Sequence, residues 1–292
     1  MTAPWPFDSP DLLRAALARA GYLADSGLAT AGFLATRLRR PVFLEGDAGV
    51  GKTAFATALA EAAGVTLIRL QCYEGIDAAQ AIYEWDFPRQ LLHLRAAELG
   101  AADAAADLYH PRFLLRRPLL RAIEEAPCVL LIDEIDRADD EFEAYLLEVL
   151  SDFAVSIPEL GRIAASTPPL VVLTSNRTRE VHDALKRRCL YHWLAHPDQR
   201  REIEIIRLRL PGVAERLVTQ VAEATARLRA LDLVKPPGVA EAIDWAAALD
   251  ALGHTGLTGQ GVADTLGVVL KLREDLDLVA ELPPDALVGG PP

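Results

Sequence analysis

Gly46-Asp47-Ala48-Gly49-Val50-Gly51-Lys52-Thr53 decides how the rest of this chain is read. It follows an apolar run, Val42–Glu45, and leads into a helix-forming stretch that opens at Ala54. The pattern G-x-x-x-x-G-K-[ST], set between a strand and a helix, is a phosphate cradle. Its glycines let the backbone curl so that successive N–H groups face phosphate oxygens, and the helix adds the positive end of its dipole. Lys52 then neutralises the β- and γ-phosphates, and the Thr53 hydroxyl ligates Mg²⁺. The expected nucleotide contacts are therefore Gly46, Asp47, Ala48, Gly49, Val50, Gly51, Lys52, Thr53 and Ala54, with ATP and Mg²⁺ as ligands. Asp47 is an unusual member, since a carboxylate opposes anion binding unless its side chain points outward.

Outward from the cradle, the chain alternates short apolar runs with helical ones. Residues 65–70, 129–133, 170–174 and 190–194 join Val42–Glu45 as strands. Their near-continuous apolar character fits strands buried on both faces of a parallel sheet with helical crossovers, an α/β fold. Two helices precede the sheet. One is capped at Ser9-Pro10-Asp11 and the other opens at Ser26. After His196-Pro197-Asp198 the strand signal stops, and helices are expected over 199–208, 214–231, 239–252 and 262–278. Residues 1–195 thus read as the α/β domain and 196–292 as a helical one, with a frayed tail from Leu282. Within the helical part, Arg200-Arg201-Glu202-Ile203-Glu204 reads as a solvated face of mixed charge.

Composition narrows the function. Among 292 residues, Lys+Arg number 30 and Asp+Glu 42, a net charge of −12 that argues against a general nucleic-acid or anionic-membrane binder. Apolar runs such as Cys128-Val129-Leu130-Leu131-Ile132 fall far short of the roughly 20 residues a membrane span needs. Met1 to Asp8 has neither the basic nor the apolar part of a signal peptide. Cys72, Cys128 and Cys189 are scattered and odd in number, which suits a reducing cytoplasm. The six histidines show no zinc-binding helical spacing. Cys72, just past a strand end, reads as a buried, inert thiol.

The second chemical signal is Val129-Leu130-Leu131-Ile132-Asp133-Glu134, an apolar strand ending in two carboxylates. Asp133 is placed to hold Mg²⁺ and Glu134 to polarise the attacking water. With the cradle, this resembles the P-loop core of the AAA+ ATPases. The resemblance implies that Leu170 to Asn176 is the sensor-1 strand, with Asn176 positioning the water. It also implies that the helix through His182 to Cys189 carries an arginine finger acting on the neighbouring subunit. Arg188 fits that role, with Arg187 close behind. The segment Asp133 to Ala138, then Glu143 to Leu150 and Phe153-Ala154-Val155-Ser156-Ile157, resembles the MoxR branch and its hairpin insert. Arg69 to Asp77, Tyr83 to Phe87, Phe113 to Leu119 and Ile157 to Gly161 are similar to the CoxD-like subgroup of accessory ATPases for CO dehydrogenase-like molybdenum enzymes.

That resemblance implies an ATP-hydrolysing, chaperone-like homo-oligomer, a hexameric ring, which matures a molybdenum hydroxylase client. It further implies a von Willebrand factor A domain adaptor. Motor work on nucleic acid and a regulatory, weakly hydrolysing module are the alternatives. The family's sensor-2 arginine has no counterpart near Lys235-Pro236-Pro237-Gly238-Val239, where Lys235 is the nearest cation. Tyr83, Trp85 and Phe87 read either as a client grip or as packing of the insert onto its own domain.

Overall fold

The order of the strands, more than their number, positions the site. In a computed structural model, described over residues 5–98, 108–283 and 286–288, α1 (Pro10–Arg19) and α2 (Ser26–Leu38) precede β1 (Val42–Glu45). Then come α3 (Lys52–Ala63), β2 (Thr66–Gln71), α4 (Ala78–Ile82), β3 (Tyr83–Trp85), α5 (Phe87–Glu98), β4 (Leu114–Arg116) and α6 (Pro118–Glu124). Next follow β5 (Cys128–Asp133), α7 (Asp140–Asp152), β6 (Ala154–Ile157), β7 (Gly161–Ala164), β8 (Leu170–Ser175), α8 (Asp183–Lys186) and β9 (Leu190–Trp193). The rest is helical: α9 (Gln199–Arg209), α10 (Glu215–Arg229), α11 (Val239–Ala251), α12 (Gly259–Val269) and α13 (Arg273–Ala280).

Local chemistry explains several boundaries. The Ser9 hydroxyl accepts from the Leu12 N–H, with Pro10 at the first helical position. At α2 the cap is Asp25, whose carboxylate accepts from the Leu28 N–H at 2.7 Å. Each such cap stabilises its helix by about 1 kcal/mol. The helix after the cradle starts two residues earlier than expected, so Lys52 and Thr53 lie in its first turn.

The main sheet is five-stranded and parallel, in the order β2-β5-β8-β1-β9. The chain leaves β1 for the edge strand β2, returns through β5 and β8, and then crosses to β9 on the far side of β1. In sheets with such a reversal, ligands bind outside the carboxyl ends of the strands next to it. β1, β5 and β8 are buried along their whole length, as their apolar runs predict. β2 and β9 are not. They form the two edges, and Arg69, Tyr191 and Trp193 remain exposed on them. The hairpin expected after α7 is present as β6 and β7. Of the three aromatics in the insert, Trp85 is buried in the main core, Tyr83 packs edge-on against it, and Phe87 is exposed.

The chain divides into two compact units. One comprises Met1–Ala20, Ala24–Glu45 and Thr53–Trp193, and its core runs from Phe43 and Ile68 through β5 and β8 to Cys189. The other comprises Gly21–Leu23, Gly46–Lys52 and Leu194–Pro292. The second unit is organised around Trp245, whose indole N–H donates to the Thr265 hydroxyl at 2.7 Å.

Three details of the helical unit depart from expectation. The stretch read as one helix over 262–278 breaks at Leu270–Leu272, where the end residues are extended. The break leaves Leu270 buried and brings the Asp275 carboxylate to the N–H groups of Val234 and Lys235. Glu202, expected on a solvated face, is fully buried and held by both terminal nitrogens of Arg229 at 2.7 and 2.8 Å. Burial raises its pKa, and the Arg229 partner opposes that. In the stretch read as a frayed tail, Leu287 is buried and its carbonyl accepts from Arg227. Pro284, Asp285 and residues 289–292 of that tail lie outside the described residues. Among the described residues, no helix is long and apolar enough to cross a membrane.

The three cysteines are buried, and burial pushes their pKa up, to about 12 at Cys72 and Cys189 and about 11 at Cys128. The thiolate is the reactive form, so at pH 8 a disulfide reagent should modify the native thiols at least about 100-fold more slowly than a free cysteine. Unfolding in guanidinium should release three fast-reacting thiols. A native thiol that reacts at the free rate would contradict this burial.

Candidate active site

Asp133 closes β5, with its side chain only 3% exposed. A carboxylate so far from water needs donors, and three elements supply them. The Thr53 hydroxyl from α3 lies 3.1 and 3.3 Å from its two oxygens. The Thr174 hydroxyl from β8 donates at 2.5 Å, and Arg69 from β2 at 2.5 Å. The parallel register brings these residues together, because β2 and β8 flank β5 and Gln71 stands opposite Asp133.

Glu134 leaves the strand in the left-handed region, φ +57°, an uncommon conformation for a residue of this type. The turn carries its backbone N–H to the Thr174 hydroxyl, 2.9 Å away. Its carboxylate is then shared among three side chains. Asn176 Nδ2 donates to Oε1 at 3.3 Å, Gln71 Nε2 to Oε2 at 3.1 Å, and Arg137 Nε lies 3.0 Å from Oε2. The loop holding Asn176 is fixed from below by Asp136. That buried carboxylate accepts from the N–H groups of Asn176 and Thr178 and from the Thr178 hydroxyl. Thr53, Asp133, Glu134 and Asn176, each singled out in the sequence, thus lie together. Thr174, Arg69, Gln71 and Arg137 join them with no role assigned in advance. For Thr174 a signal existed: it is the first polar residue after the apolar run Leu170–Leu173 and stands two residues before Asn176.

The cradle belongs to the second unit. Lys52 Nζ donates to the carbonyls of Gly46 and Asp47, both at 2.7 Å. Asp47 points outward, 65% exposed, with its Oδ2 3.5 Å from His196 Nε2. Burial, aided by Arg229, lowers the His196 pKa, so this ring is neutral at pH 7. Ala54 is an exposed residue of the first turn of α3. Gly46 has no room for a side chain, since a Cβ there would meet the Leu194 carbonyl at 2.2 Å. Gly49, at φ +78°, turns its carbonyl onto the start of α11, where the N–H groups of Val239 and Ala240 donate to it at 3.1 and 3.3 Å. The phosphate loop therefore caps α11 directly. Lys235 is not at this contact. It is exposed, and its N–H is spent on Asp275.

Arg188 lies apart from the carboxylates. Its guanidinium is exposed and donates to the Leu147 carbonyl at 2.5 Å and to the Ser151 hydroxyl, both on α7. Arg187, 80% exposed, pairs with Asp183 one helical turn away.

The donors at Thr53 and Asp133 are hard oxygens, a hydroxyl and a carboxylate already in contact, which is the chemistry Mg²⁺ requires. A parallel sheet with a phosphate loop after β1 and paired carboxylates after β5, the next strand but one, is the arrangement of a P-loop nucleotide-handling domain. Residues 41–189, just over half of the chain, match the family described as AAA domain (dynein-related subfamily), and the chain belongs to that family. A stretch of 48 residues is 44% identical to midasin of Giardia intestinalis, covering 16% of this chain and 1% of midasin. Thermotoga maritima RuvB, a Holliday junction branch migration motor, aligns at 17% identity and TM-score 0.46 over 85% of this chain and 69% of its own. Two variants of that protein align at 18% and 17% identity with TM-scores of 0.48 and 0.49, each over 86% of this chain and 69% of its own.

A Cβ at Gly238 would lie 2.8 Å from the Gly49 Cα and 2.9 Å from the Ala48 carbonyl. Gly238→Ala should therefore destabilise the protein by about 1–3 kcal/mol through overpacking. Gly212→Ala, with nothing within 4 Å, should stay within about 0.5 kcal/mol of the parent. Denaturant unfolding of the two variants measures the difference, and equal values would rule out the tight approach.

Proposed function

We propose that this chain is an ATPase subunit of a homo-oligomeric, hexameric ring that spends hydrolysis on remodelling a metalloenzyme. The observation that carries the ATPase reading is the convergence of Thr53, Asp133, Glu134 and Asn176 at the carboxyl ends of β5 and β8. In this reading Lys52 and the loop N–H groups bind the β- and γ-phosphates. Thr53 and Asp133 would hold Mg²⁺, which when bound neutralises charge on the phosphate oxygens. Asn176 and Glu134 orient a water whose oxygen attacks the γ-phosphorus, and Glu134 takes the proton it sheds. The bond from the γ-phosphorus to the bridging oxygen breaks, leaving ADP and phosphate. Arg188 serves the neighbouring subunit's nucleotide. Its place on an exposed turn, tied among the described residues to a carbonyl and a hydroxyl of α7, suits a group that changes partner on assembly.

The client in this proposal is a CO dehydrogenase-like molybdenum hydroxylase, reached through a von Willebrand factor A domain adaptor. Support comes from the resemblance over 69–77, 83–87, 113–119 and 157–161. The exposed apolar side chains of Phe87, Leu91 and Leu92 on α5 offer a surface for gripping such a client. The net charge of −12 favours a protein client over nucleic acid.

Glu134→Gln keeps the shape of the strand end but removes the base. It should bind ATP with near-parental affinity and lose turnover by roughly two to four decades. Lys52→Ala should weaken binding itself. Parental turnover by Glu134→Gln would refute the assignment, and stimulation of the parent by duplex DNA would redirect it toward nucleic acid.

An arginine finger acting between subunits is worth about three to five decades of turnover. Arg188→Ala and Lys52→Ala should each be inactive alone, yet a co-assembled mixture should recover hydrolysis at interfaces pairing an intact loop with an intact finger. A mixture as dead as its components would exclude action in trans. In a host carrying Glu134→Gln, the molybdenum client should be folded and contain its cofactor yet be inactive. A fully active client there would end the maturation proposal while leaving the ATPase in place.

A further inference from the structure

Arg69 sits on the edge strand β2, two residues before Gln71, which stands opposite Asp133. One of its terminal nitrogens donates both to Asp133 Oδ2 and to Gln71 Oε1, each at 2.5 Å. The amide of Gln71 in turn donates to Glu134 Oε2 at 3.1 Å. A single cation therefore touches one strand-end carboxylate directly and reaches the other through one amide.

The two partners differ sharply in environment. The Asp133 side chain is 3% exposed, whereas that of Arg69 is 52% exposed. Thr53 and Thr174 donate hydrogen bonds to Asp133 but bring no net charge. Without a cation, a desolvated carboxylate is left uncompensated, which is costly. Arg69 supplies that cation from an edge strand, on a long stem open to solvent, so it can withdraw by rotating about its own torsions. The contact it makes is with the carboxylate that would serve a metal ion, so the two cations compete for the same oxygens.

We propose that Arg69 is the resident counter-cation of Asp133, pairing with the carboxylate while metal is absent and yielding it to Mg²⁺ arriving with nucleotide. It is a positioning residue, and its role rests on the ATPase reading above. Its loss has two consequences of opposite sign. The metal-free protein loses stability, because Asp133 is left buried without a charge partner. Mg²⁺ binds more tightly, because it no longer displaces a cation. An arginine that merely held the strand in place would, when removed, weaken both.

The test titrates free Mg²⁺ at fixed fluorescent ADP and follows thermal unfolding in EDTA without nucleotide. Arg69→Met should lower the half-saturating Mg²⁺ concentration about tenfold, by relief of competition between cations. It should also lower Tm in EDTA by about 3–6 °C, and leave ADP affinity in EDTA unchanged. Arg69→Lys, which keeps the charge, should track the parent in both readouts. Arg69→Gln repeats the titration if the methionine variant does not fold. A half-saturating Mg²⁺ concentration that is unchanged or raised overturns the proposal. So does weaker ADP binding in EDTA, which would place Arg69 on the phosphates. Failure of the parent to bind ADP at any Mg²⁺ concentration overturns the ATPase reading and this role with it. Normal parental binding beside unaltered variants removes the counter-cation role alone.

Discussion

A buried negative charge at the end of β5 governs the architecture around it. Asp133 is held by a hydroxyl from α3, a hydroxyl from β8 and a guanidinium from β2, so one carboxylate ties a helix and two strands to the strand between them. Each of these bonds is charge-assisted on the acceptor side and so stronger than a neutral one. None is available unless β2, β5 and β8 are in register, with Gln71 level with Asp133 and Leu173 level with Ile132. The carboxylate is thus a check on strand alignment. A slip of one residue would turn it to the other face of the sheet and leave all three donors without their acceptor.

The second constraint is steric and lies at the cradle. Gly46 presses on the Leu194 carbonyl, and Gly49 and Gly238 approach so closely that neither can carry a side chain without displacement. The Gly49 carbonyl takes the first free N–H groups of α11, which every helix start must place somewhere. A change in the loop's backbone is therefore a change at the start of α11, transmitted without any side chain. Lys235, the residue nearest that start in sequence to carry a cation, is engaged elsewhere through its backbone.

Much of this was legible beforehand because it follows from short-range rules. The cradle, the strand ending in Asp133 and Glu134, and the cap at the first helix are local patterns, and the sheet's central strands declare themselves by short apolar runs. What escaped depends on long-range placement. Nothing near Arg69 or Gln71 in the chain says that β2 is an edge strand adjoining β5, so their place beside the carboxylates emerges only with the strand order. Glu202 looks solvated because its neighbours in sequence are charged, yet its partner, Arg229, is 27 residues away. The break at Leu270 was hidden for the same reason: apolar periodicity continues through it, and burial of that leucine together with the docking of Asp275 interrupts the helix.

Local preference also yields where chemistry is concentrated. Glu134 and Arg177, immediately after β5 and two residues after β8, both take left-handed backbone conformations that side-chain-bearing residues rarely adopt. Such conformations cost of order 1–3 kcal/mol each and persist only when their surroundings over-determine them. Here the surroundings are identifiable. The Glu134 N–H is held by Thr174, its carboxylate by Asn176, Gln71 and Arg137, and the Arg177 N–H by the Ser175 hydroxyl. The Arg177 guanidinium also lies over the Trp193 ring. Buried Asp136 binds the N–H groups on either side of Arg177, at Asn176 and Thr178. Two strained turns on adjacent strands are thus locked by side chains that have no other common purpose. The result is a pair of polar groups, one carboxylate and one amide, presented together at the end of a sheet whose own geometry would have sent them apart.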